Sequence, residues 1–323
     1  MTCTKECIAA ATFLFACLSG PSPSFAQKSG TLSKSAEAKA PAFRPANPAT
    51  ASLIEARKPD ESWIPEDIDR AVPPVAPGVT CSLPAVLEGA GQKIKELVQN
   101  VDRFTATEVL VHQDINHSGK MGRAVTVRFD YLVSISEIRD GWLGVDEIRN
   151  RGRSLDLFPS HIATTGTPSL VLIFHPRYIG DFRARCEGLG EWHGQPAWQV
   201  RFEQRADRTD HICSFVVNGA SYNVNLRGRA WILADSFQVA RLETDIMDSI
   251  PKIRLRLNHE TIEYRPVSLP TNNLQLWLPS STELYMDFRG HRFYRKHSFT
   301  NFKIFSVDMD YQTSDPRQSA SAQ

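Results

Sequence analysis

The residues that could carry metal or acid/base chemistry are nine histidines and a scatter of carboxylates. None of the histidines falls in a His-x-His or His-Glu-x-x-His spacing, which would place two imidazoles on one metal ion. His259 and Glu260 are adjacent, but neighbours on a strand point to opposite faces, so we do not expect a shared site. The sequence therefore predicts no metal site and no cofactor.

Two carboxylates could act as general acid and base if the fold brings them together. The candidates are Asp114, Asp130, Asp146, Glu147 and Glu187. Solvated strand faces explain these residues equally well. The sequence contains no Gly-x-Ser-x-Gly elbow, phosphate-binding glycine loop or Cys/His nucleophile arrangement. We therefore predict no catalytic residues and no enzyme activity. A hydrolase with dispersed catalytic residues remains one alternative.

The first 26 residues have the order of a cleavable signal peptide. A basic start at Lys5 is followed by an apolar run from Ile8 to Leu18, and helix-breaking residues then precede Ala26. The apolar run is shorter than the ~20 residues that a membrane-spanning helix needs. We predict cleavage after Ala26 and a periplasmic or secreted protein. Lipid attachment at Cys17, which would give an outer-membrane lipoprotein, is the alternative.

The positions of the cysteines matter because disulfides can form in the periplasm or outside the cell. Three cysteines lie in the signal peptide, and Cys81, Cys186 and Cys213 lie beyond it. An exported protein with three cysteines can form one disulfide and keep one thiol. We favour the pair Cys81 and Cys186, which would tie the start of a helix to a sheet, although sequence does not determine the connectivity.

Composition divides the remaining chain into a tether, a domain and a tail. Residues 27–80 are rich in proline and alanine, cannot bury enough apolar surface to fold, and are predicted to form a disordered tether with Trp63 and Ile64 as docking residues. Residues 81–312 are predicted to form one β domain, and residues 313–323 a disordered tail. The net charge of +1 does not favour nucleic acid as a partner.

Hydrophobic periodicity predicts the elements of the domain. Apolar residues recur every three or four positions between Val86 and Val101, which indicates an amphipathic helix with Ser82 available as its N-cap. From Val125 to Ile135 the period changes to two, which indicates a long strand with one buried face. Ser169–Phe174 is predicted to be a short buried helix. The fold class is mainly β, with about ten antiparallel strands in a curved sheet or half-barrel around these two helices.

Several local motifs resemble the periplasmic lipoprotein carriers of the LolA/LolB-like superfamily. They are Phe104-Thr105-Ala106 after the helix, the hairpin from Gly228-Arg229-Ala230-Trp231-Ile232-Leu233 to Val239-Ala240-Arg241-Leu242-Glu243, Leu276-Trp277-Leu278-Pro279, and Phe299-Thr300-Asn301-Phe302-Lys303. The resemblance covers residues 82 to 309. It implies an open, strongly curved sheet whose apolar concavity accepts acyl chains. The family's lid-holding arginine has no counterpart that we can place.

Aromatic side chains on the predicted strands are candidates for lining such a cavity, because large rings make broad contacts with lipid chains. They are Phe129, Tyr131, Trp142, Trp198, Trp231 and Trp277. Ordinary core packing is the competing explanation for each. The function that these observations favour is a non-enzymatic carrier or binder of lipid or lipoprotein acyl chains. An envelope stress sensor or protein-interaction module, with an envelope protein as partner, is the alternative.

A basic run near the last hairpin could contact the anionic surface of a membrane. It consists of Arg289, Arg292, Arg295 and Lys296. More often such a run is a solvated hairpin end.

Overall fold

The computed structural model describes residues 3–6, 65, 67–139, 142–149, 158–208, 212–268 and 275–305. One α-helix is described, α1 (Leu83–Asn100). The strands are β1 (Cys3–Glu6), β2 (Arg103–Ile115), β3 (Val125–Arg139), β4 (Trp142–Arg149), β5 (Ile162–Thr164), β6 (Phe182–Trp192), β7 (Gln195–Gln204), β8 (Cys213–Val217), β9 (Ala220–Val224), β10 (Leu226–Leu233), β11 (Val239–Ile246), β12 (Leu255–Ser268), β13 (Gln275–Phe288) and β14 (His291–Phe305). Short 3₁₀ helices span Pro159–His161, Thr167–Phe174, Ile179–Asp181 and Pro251–Ile253.

Ten strands form one open, curved antiparallel sheet in the order β4-β3-β2-β14-β13-β12-β11-β10-β7-β6. All its neighbouring strands pair antiparallel. The alternation in β3 places Phe129, Tyr131, Val133 and Ile135 in buried positions on one face. The predicted mainly β fold, a half-barrel of about ten strands, is confirmed.

Helix α1 packs against one face of this sheet, which we call the inner face. Val86, Ala90, Ile94 and Leu97 are buried in the same core as inner-face residues of the sheet. Ser82 occupies the N-cap position without a side-chain capping bond, and the helix has proline in its first turn. The apolar stripe, rather than the cap, therefore fixes the helix in place.

The second predicted helix is a 3₁₀ helix, Thr167–Phe174, and all eight of its residues are buried. It belongs to the same core as α1. Gly166 precedes it with a φ of 95°, a conformation that residues with a Cβ rarely adopt. The inner face is thus covered by α1 and this 3₁₀ helix.

A second, smaller sheet has the order β5-β1-β8-β9. In it Thr4 pairs with Ala163 of β5 in parallel and with Val216 of β8 in antiparallel fashion. Strand β1 lies within the predicted signal peptide. Cleavage after Ala26 would remove this strand and stays a prediction, and Cys17 and Ala26 lie outside the described residues.

Residues 67–80, which we call the strap, run along the outer face of β6, β7 and β10. Ile68 is fully buried, Ala76 N donates to Leu189 O at 2.7 Å, and the Gln199 side chain donates to Pro74 O at 3.3 Å. The end of the predicted disordered tether therefore differs from expectation. Residues 67–80 are ordered with few buried apolar residues because hydrogen bonds to β6 and β7 hold them on the sheet. Trp63, Ile64 and the predicted tail 313–323 lie outside the described residues.

Candidate functional site

A small apolar cavity lies between α1, the 3₁₀ helix Thr167–Phe174 and strands β11 to β13. Its volume is about 30 Å³. Its apolar lining comprises Ile94, Leu97, Val171, Val239, Tyr264, Leu276 and Trp277, and the polar residues Lys93, Glu96, Gln238 and Gln275 also line it. The lining is thus apolar with a few polar side chains, which is the usual character of a small-molecule site.

The C-terminal end of α1 borders a second space. This is an open groove of about 490 Å³, lined by Val98 and Gln99 of the helix and by residues of β2 and β3 such as Arg103 and Ser134. Most of the residues that line it are polar. Helix α1 therefore has unfilled volume both beside its middle and beside its end.

The predicted cavity residues do not all meet at this site. Trp277 lines the apolar cavity. Phe129 and Tyr131 are buried on the inner face near β2, where the Tyr131 ring packs at a tilt against Phe299 with ring centroids 5.1 Å apart. Trp198 is half-buried and packs against the main core.

The remaining two predicted tryptophans contact arginines. Trp142 is half-buried, with the Arg177 guanidinium 4.8 Å from its ring centroid. Trp231 lies in a separate apolar cluster, where Arg241 stands 4.9 Å from its ring centroid. Cation–π contacts of this kind hold the rings in fixed packing.

The candidate carboxylates lead to a buried charged cluster that the sequence analysis missed. Glu108 accepts hydrogen bonds from Arg149 Nε at 2.5 Å and Nη2 at 3.0 Å, and Arg149 Nη2 lies 3.2 Å from Glu147 Oε2. Tyr131 donates its hydroxyl to Glu147 at 2.8 Å. His297 Nδ1 lies 2.6 Å from Glu108 Oε1. In the sequence, Glu108 stands between Phe104, Ala106 and Leu110 at the buried positions of β2. A charged residue at such a position was the one sequence pattern that could have revealed the cluster.

Burial and the partner charges set the ionisation of this cluster. Burial alone would raise the pKa of Glu108, but the charge of Arg149 and the hydrogen bond with His297 lower it to about 2. Burial raises the pKa of Glu147 and lowers the pKa of His297. Glu108 is thus ionised and His297 neutral at pH 7. Because every one of these groups is enclosed and hydrogen-bonded, the arrangement fits a structural role better than acid/base catalysis.

The charged cluster and its neighbour Arg295 hold the segment 159–166 against the inner face. Thr164 Oγ1 lies 2.8 Å from His297 Nε2, and Gly166 N donates to Glu147. Arg295 donates to Pro159 O at 2.7 Å and to Ile162 O. These bonds make the segment a fixed cover of the sheet.

Other candidate carboxylates have separate partners. Asp114 Oδ1 lies 2.9 Å from the Nε2 atoms of both His112 and His291, and Glu187 accepts from Arg229 Nε at 2.5 Å. Asp130 and Asp146 interact with other groups. Among the residues that the structure describes, no group of three or more His, Cys, Asp or Glu side chains could hold a metal ion.

The basic run of the last hairpin is only partly available for a membrane surface. Arg295 is fully buried, Arg292 pairs with Asp287 at 3.2 Å, and Lys296 pairs with Glu283 at 3.1 Å. Arg289 lies over the ring of Phe288. Alternation along β14 turns Arg295 inward, which a count of basic residues does not reveal.

Cys81 and Cys186 form a disulfide with Cα atoms 6.3 Å apart, and Cys213 is a buried free thiol. The disulfide joins Cys81, which lies between the strap and α1, to β6. In the part of the chain that the structure describes, no helix has the length and hydropathy that crossing a membrane requires.

No protein-family model matches the sequence, and no curated protein is significantly similar to it. Among solved structures, the chain is similar to a DUF1329 family protein from Desulfovibrio piger, with 11% identity, 71% of this chain and 95% of that one covered, and a TM-score of 0.39. It is also similar to a putative outer membrane lipoprotein-sorting protein domain from Vibrio parahaemolyticus, with 10% identity, 68% and 92% covered, and a TM-score of 0.38. A LolA superfamily protein from Nitrosomonas europaea matches with 12% identity, 71% and 96% covered, and a TM-score of 0.33. These similarities include the family that the sequence resembles and concern the fold alone.

Proposed function

We propose that the protein is a non-enzymatic carrier or binder of acyl chains, acting beyond the inner membrane after cleavage of its signal peptide. The acyl chain enters between α1 and the inner face, at the apolar cavity beside Trp277. One observation carries the proposal. The inner face of the ten-stranded sheet, apolar apart from the charged cluster around Glu108, is covered by an 18-residue helix and an eight-residue 3₁₀ helix, with an apolar cavity left between them and the sheet.

The cavity must enlarge to accept a ligand. Its volume of about 30 Å³ is far below the ~300–1,000 Å³ of typical ligand pockets. Movement of α1 or of the 3₁₀ helix Thr167–Phe174 supplies the missing space. An acyl chain then covers the apolar surface that the movement exposes, and each buried CH₂ group contributes ~0.8 kcal/mol.

The 3₁₀ helix Thr167–Phe174 is suited to such a movement. Most 3₁₀ helices end after three or four residues, because their hydrogen-bond geometry is poorer than that of an α-helix. This one has eight residues. Val171 of this helix lines the cavity directly.

Helix α1 is anchored at both ends, so it can shift without leaving the domain. The Cys81–Cys186 disulfide fixes the chain just before Leu83, and β2 begins at Arg103, shortly after the helix ends. Lys93 and Glu96, whose half-buried side chains border the cavity, form an ion pair with Nζ and Oε2 2.8 Å apart. Such a partly exposed pair contributes little to holding the helix in place.

The test is to purify the mature protein without detergent and to analyse bound lipid by mass spectrometry. Binding of cis-parinaric acid should quench tryptophan fluorescence, and an acyl probe with a photoreactive group should crosslink to peptides containing Leu97, Val171 or Leu276. Leu97→Trp fills the cavity and should weaken probe binding at least tenfold. Val125→Trp is the matched control, because Val125 is 49% exposed and does not line the cavity.

Protein that contains no lipid and neither binds nor crosslinks the probes would refute the proposal. Equal probe binding by Leu97→Trp and Val125→Trp would place the acyl site elsewhere. Circular dichroism shows whether each variant keeps the wild-type fold, so that weaker probe binding can be attributed to the filled cavity.

A further inference from the structure

The hairpin between β10 and β11 holds a phenylalanine in a backbone conformation that phenylalanine rarely adopts. Phe237 has a φ of 56°, in the left-handed region. Its N–H donates to Leu233 O at 2.9 Å, and Leu233 N donates to Gln238 O at 2.9 Å, which closes the turn. Hairpin loops normally place glycine or asparagine at a left-handed position, because a bulky side chain is strained there.

Helix α1 carries the opposite exception. Gly89 lies in the interior of the helix, where glycine is less favourable than alanine. A Cβ built on Gly89 would lie 2.7 and 2.8 Å from the two Cδ atoms of Phe237, which is closer than real Cβ atoms come to a neighbour. The missing side chain therefore lets the phenylalanine ring rest on the helix. Two residues that break their local rules meet in one contact, and such places are often functional.

This contact lies beside one end of the apolar cavity. Gln238 and Val239, which follow Phe237 in the chain, line the cavity, and so does Lys93 of α1. Lys93 comes four residues after Gly89, so the two are neighbours on one side of the helix, about 6 Å apart along its axis. Phe237 and Gly89 are not among the residues that line the cavity. The ring thus occupies the next turn of the helix beyond the cavity.

The closed position of the hairpin tip has two costs. The Ser236 hydroxyl is buried and has no hydrogen-bond partner among the described residues, and a buried polar group without a partner costs free energy. The left-handed conformation of Phe237 costs free energy as well. Packing of the ring against the main core offsets these costs. Outward movement of the tip would give Ser236 access to water, which reduces the free-energy difference between the closed and open positions.

The base of the hairpin is anchored, so that movement is confined to the tip. Strands β10 and β11 pair from Leu226 with Ile246 onwards, and Ala234 N donates to Pro196 O at 2.9 Å. The tip that remains is Asp235, Ser236 and Phe237. It can turn outward without unpairing the ten-stranded sheet.

We propose that Phe237 is the plug of the acyl-chain cavity. In the closed state its ring covers Gly89. When the ring turns away, the cavity extends along α1 from Leu97 past Lys93 to Gly89, about 12 Å along the helix axis, and an acyl chain takes the place of the ring. This inference rests on the proposed function, because it names a part of the protein that moves to admit an acyl chain to that site.

Stopped-flow measurement of cis-parinaric acid binding to the mature protein tests the plug. Phe237→Asn removes the ring and suits the left-handed position. It should bind the probe roughly tenfold faster and more tightly than the wild type, because a larger fraction of the molecules is open. Asp235→Ala is the matched control, since Asp235 is an exposed residue of the same turn. Phe237→Gly, which also relieves the backbone strain, replaces Phe237→Asn if that variant fails to fold.

A reversible lock tests the same movement in the opposite direction. The double variant Gly89→Cys, Phe237→Cys places two thiols where the helix and the hairpin tip touch, within reach of a disulfide. The oxidised protein should bind the probe roughly tenfold more slowly than the same protein after reduction. Wild-type protein treated with the same reductant measures the effect of opening Cys81–Cys186 alone.

Thiol labelling of Ile94→Cys tests the plug without an acyl chain. Ile94 lines the cavity and is 3% exposed, so a thiol there should react slowly with a small neutral methanethiosulfonate. Adding Phe237→Asn should speed this reaction roughly tenfold, whereas adding Asp235→Ala should not. Mass spectrometry of the peptide that contains residue 94 separates its labelling from that of Cys213.

Two results overturn the plug. One is an equal labelling rate of Ile94→Cys with and without Phe237→Asn. The other is probe binding by the wild type that Phe237→Asn leaves unchanged or weakens while circular dichroism shows the wild-type fold. Accelerated labelling in protein that binds no acyl probe would support the moving ring and refute the proposed function instead.

Discussion

His297 Nδ1 lies 2.6 Å from Glu108 Oε1, on the neighbouring strands β14 and β2, and the two side chains are only 3% and 0% exposed. A neutral imidazole with its proton on Nδ1 donates to Glu108 and accepts from Thr164 Oγ1 at Nε2, 2.8 Å away. One protonation state therefore satisfies both nitrogens. Adding a proton to Glu108 removes the negative charge that accepts from both His297 and Arg149.

Acidification should therefore destabilise the protein in two stages. Burial, together with the charge of Arg295, lowers the pKa of His112 from 6.5 to about 4, and burial also lowers that of His297. The unfolded chain binds these protons first, so stability falls as the pH drops from 6.5 towards 4. Glu108, with a usual pKa of 4.5 and a folded pKa of about 2, adds a further loss below pH 4.5.

Urea unfolding at several pH values from 7.5 to 3 measures this effect. Each proton bound in excess by the unfolded chain changes the free energy of unfolding by ~1.4 kcal/mol per pH unit. The raised pKa of Glu147 acts in the opposite sense and reduces the loss just above pH 4.5. In His112→Gln the slope between pH 6.5 and 4 should be smaller. A stability that stays constant from pH 7 to pH 4 would contradict the assignment.

Glu108→Gln should destabilise the protein by roughly 3–5 kcal/mol, because it leaves the buried charge of Arg149 without its main partner. The control is Glu263→Gln, since Glu263 is 26% exposed and lies 3.9 Å from Arg265. That change should cost less than ~1 kcal/mol. Urea unfolding at pH 7 measures both. Similar losses in the two variants would show that the buried ion pairs contribute little.

Local patterns in the sequence predicted the elements but not the contacts between distant ones. Three- and four-residue spacing located α1, and alternation located β3, because each pattern depends only on nearby residues. The strap was missed because Arg201 and Asp69, whose Nε and Oδ1 atoms are 2.8 Å apart, are far apart in sequence.

The Cys81–Cys186 disulfide closes a loop with a sequence separation of 105. Restricting the unfolded chain in this way contributes roughly 2–5 kcal/mol to stability. We therefore expect the double variant Cys81→Ala, Cys186→Ala to unfold at lower urea concentration than the wild type. Adding reductant should lower the midpoint of the wild type and leave that of the double variant unchanged. A wild-type midpoint that resists full reduction, verified by thiol counting, would contradict the expectation.

Cleavage of the signal peptide should produce a mature chain beginning at Gln27. The ten-stranded sheet does not include β1, so its pairing does not depend on residues 3–6. The intact mass of protein from a periplasmic extract measures the cleavage site, and Ala26→Arg should block cleavage there. A mature protein that keeps residues 1–26 would refute the export prediction, and one lipidated at Cys17 would favour the lipoprotein alternative.

The strap should be loosened by adding a single methyl group to Gly188. This glycine has a φ of 142°, and a Cβ built on it would lie 2.8 Å from Val75 Cβ of the strap. Gly188→Ala therefore combines backbone strain with overpacking, which costs ~1–3 kcal/mol. Gly180→Ala is the control, because no atom lies within 4 Å of its added Cβ. Trypsin cleavage after the exposed Arg70 should become faster in Gly188→Ala only. Unchanged cleavage would contradict the prediction and would mean that the Val75 side chain moves aside while the strap stays on the sheet.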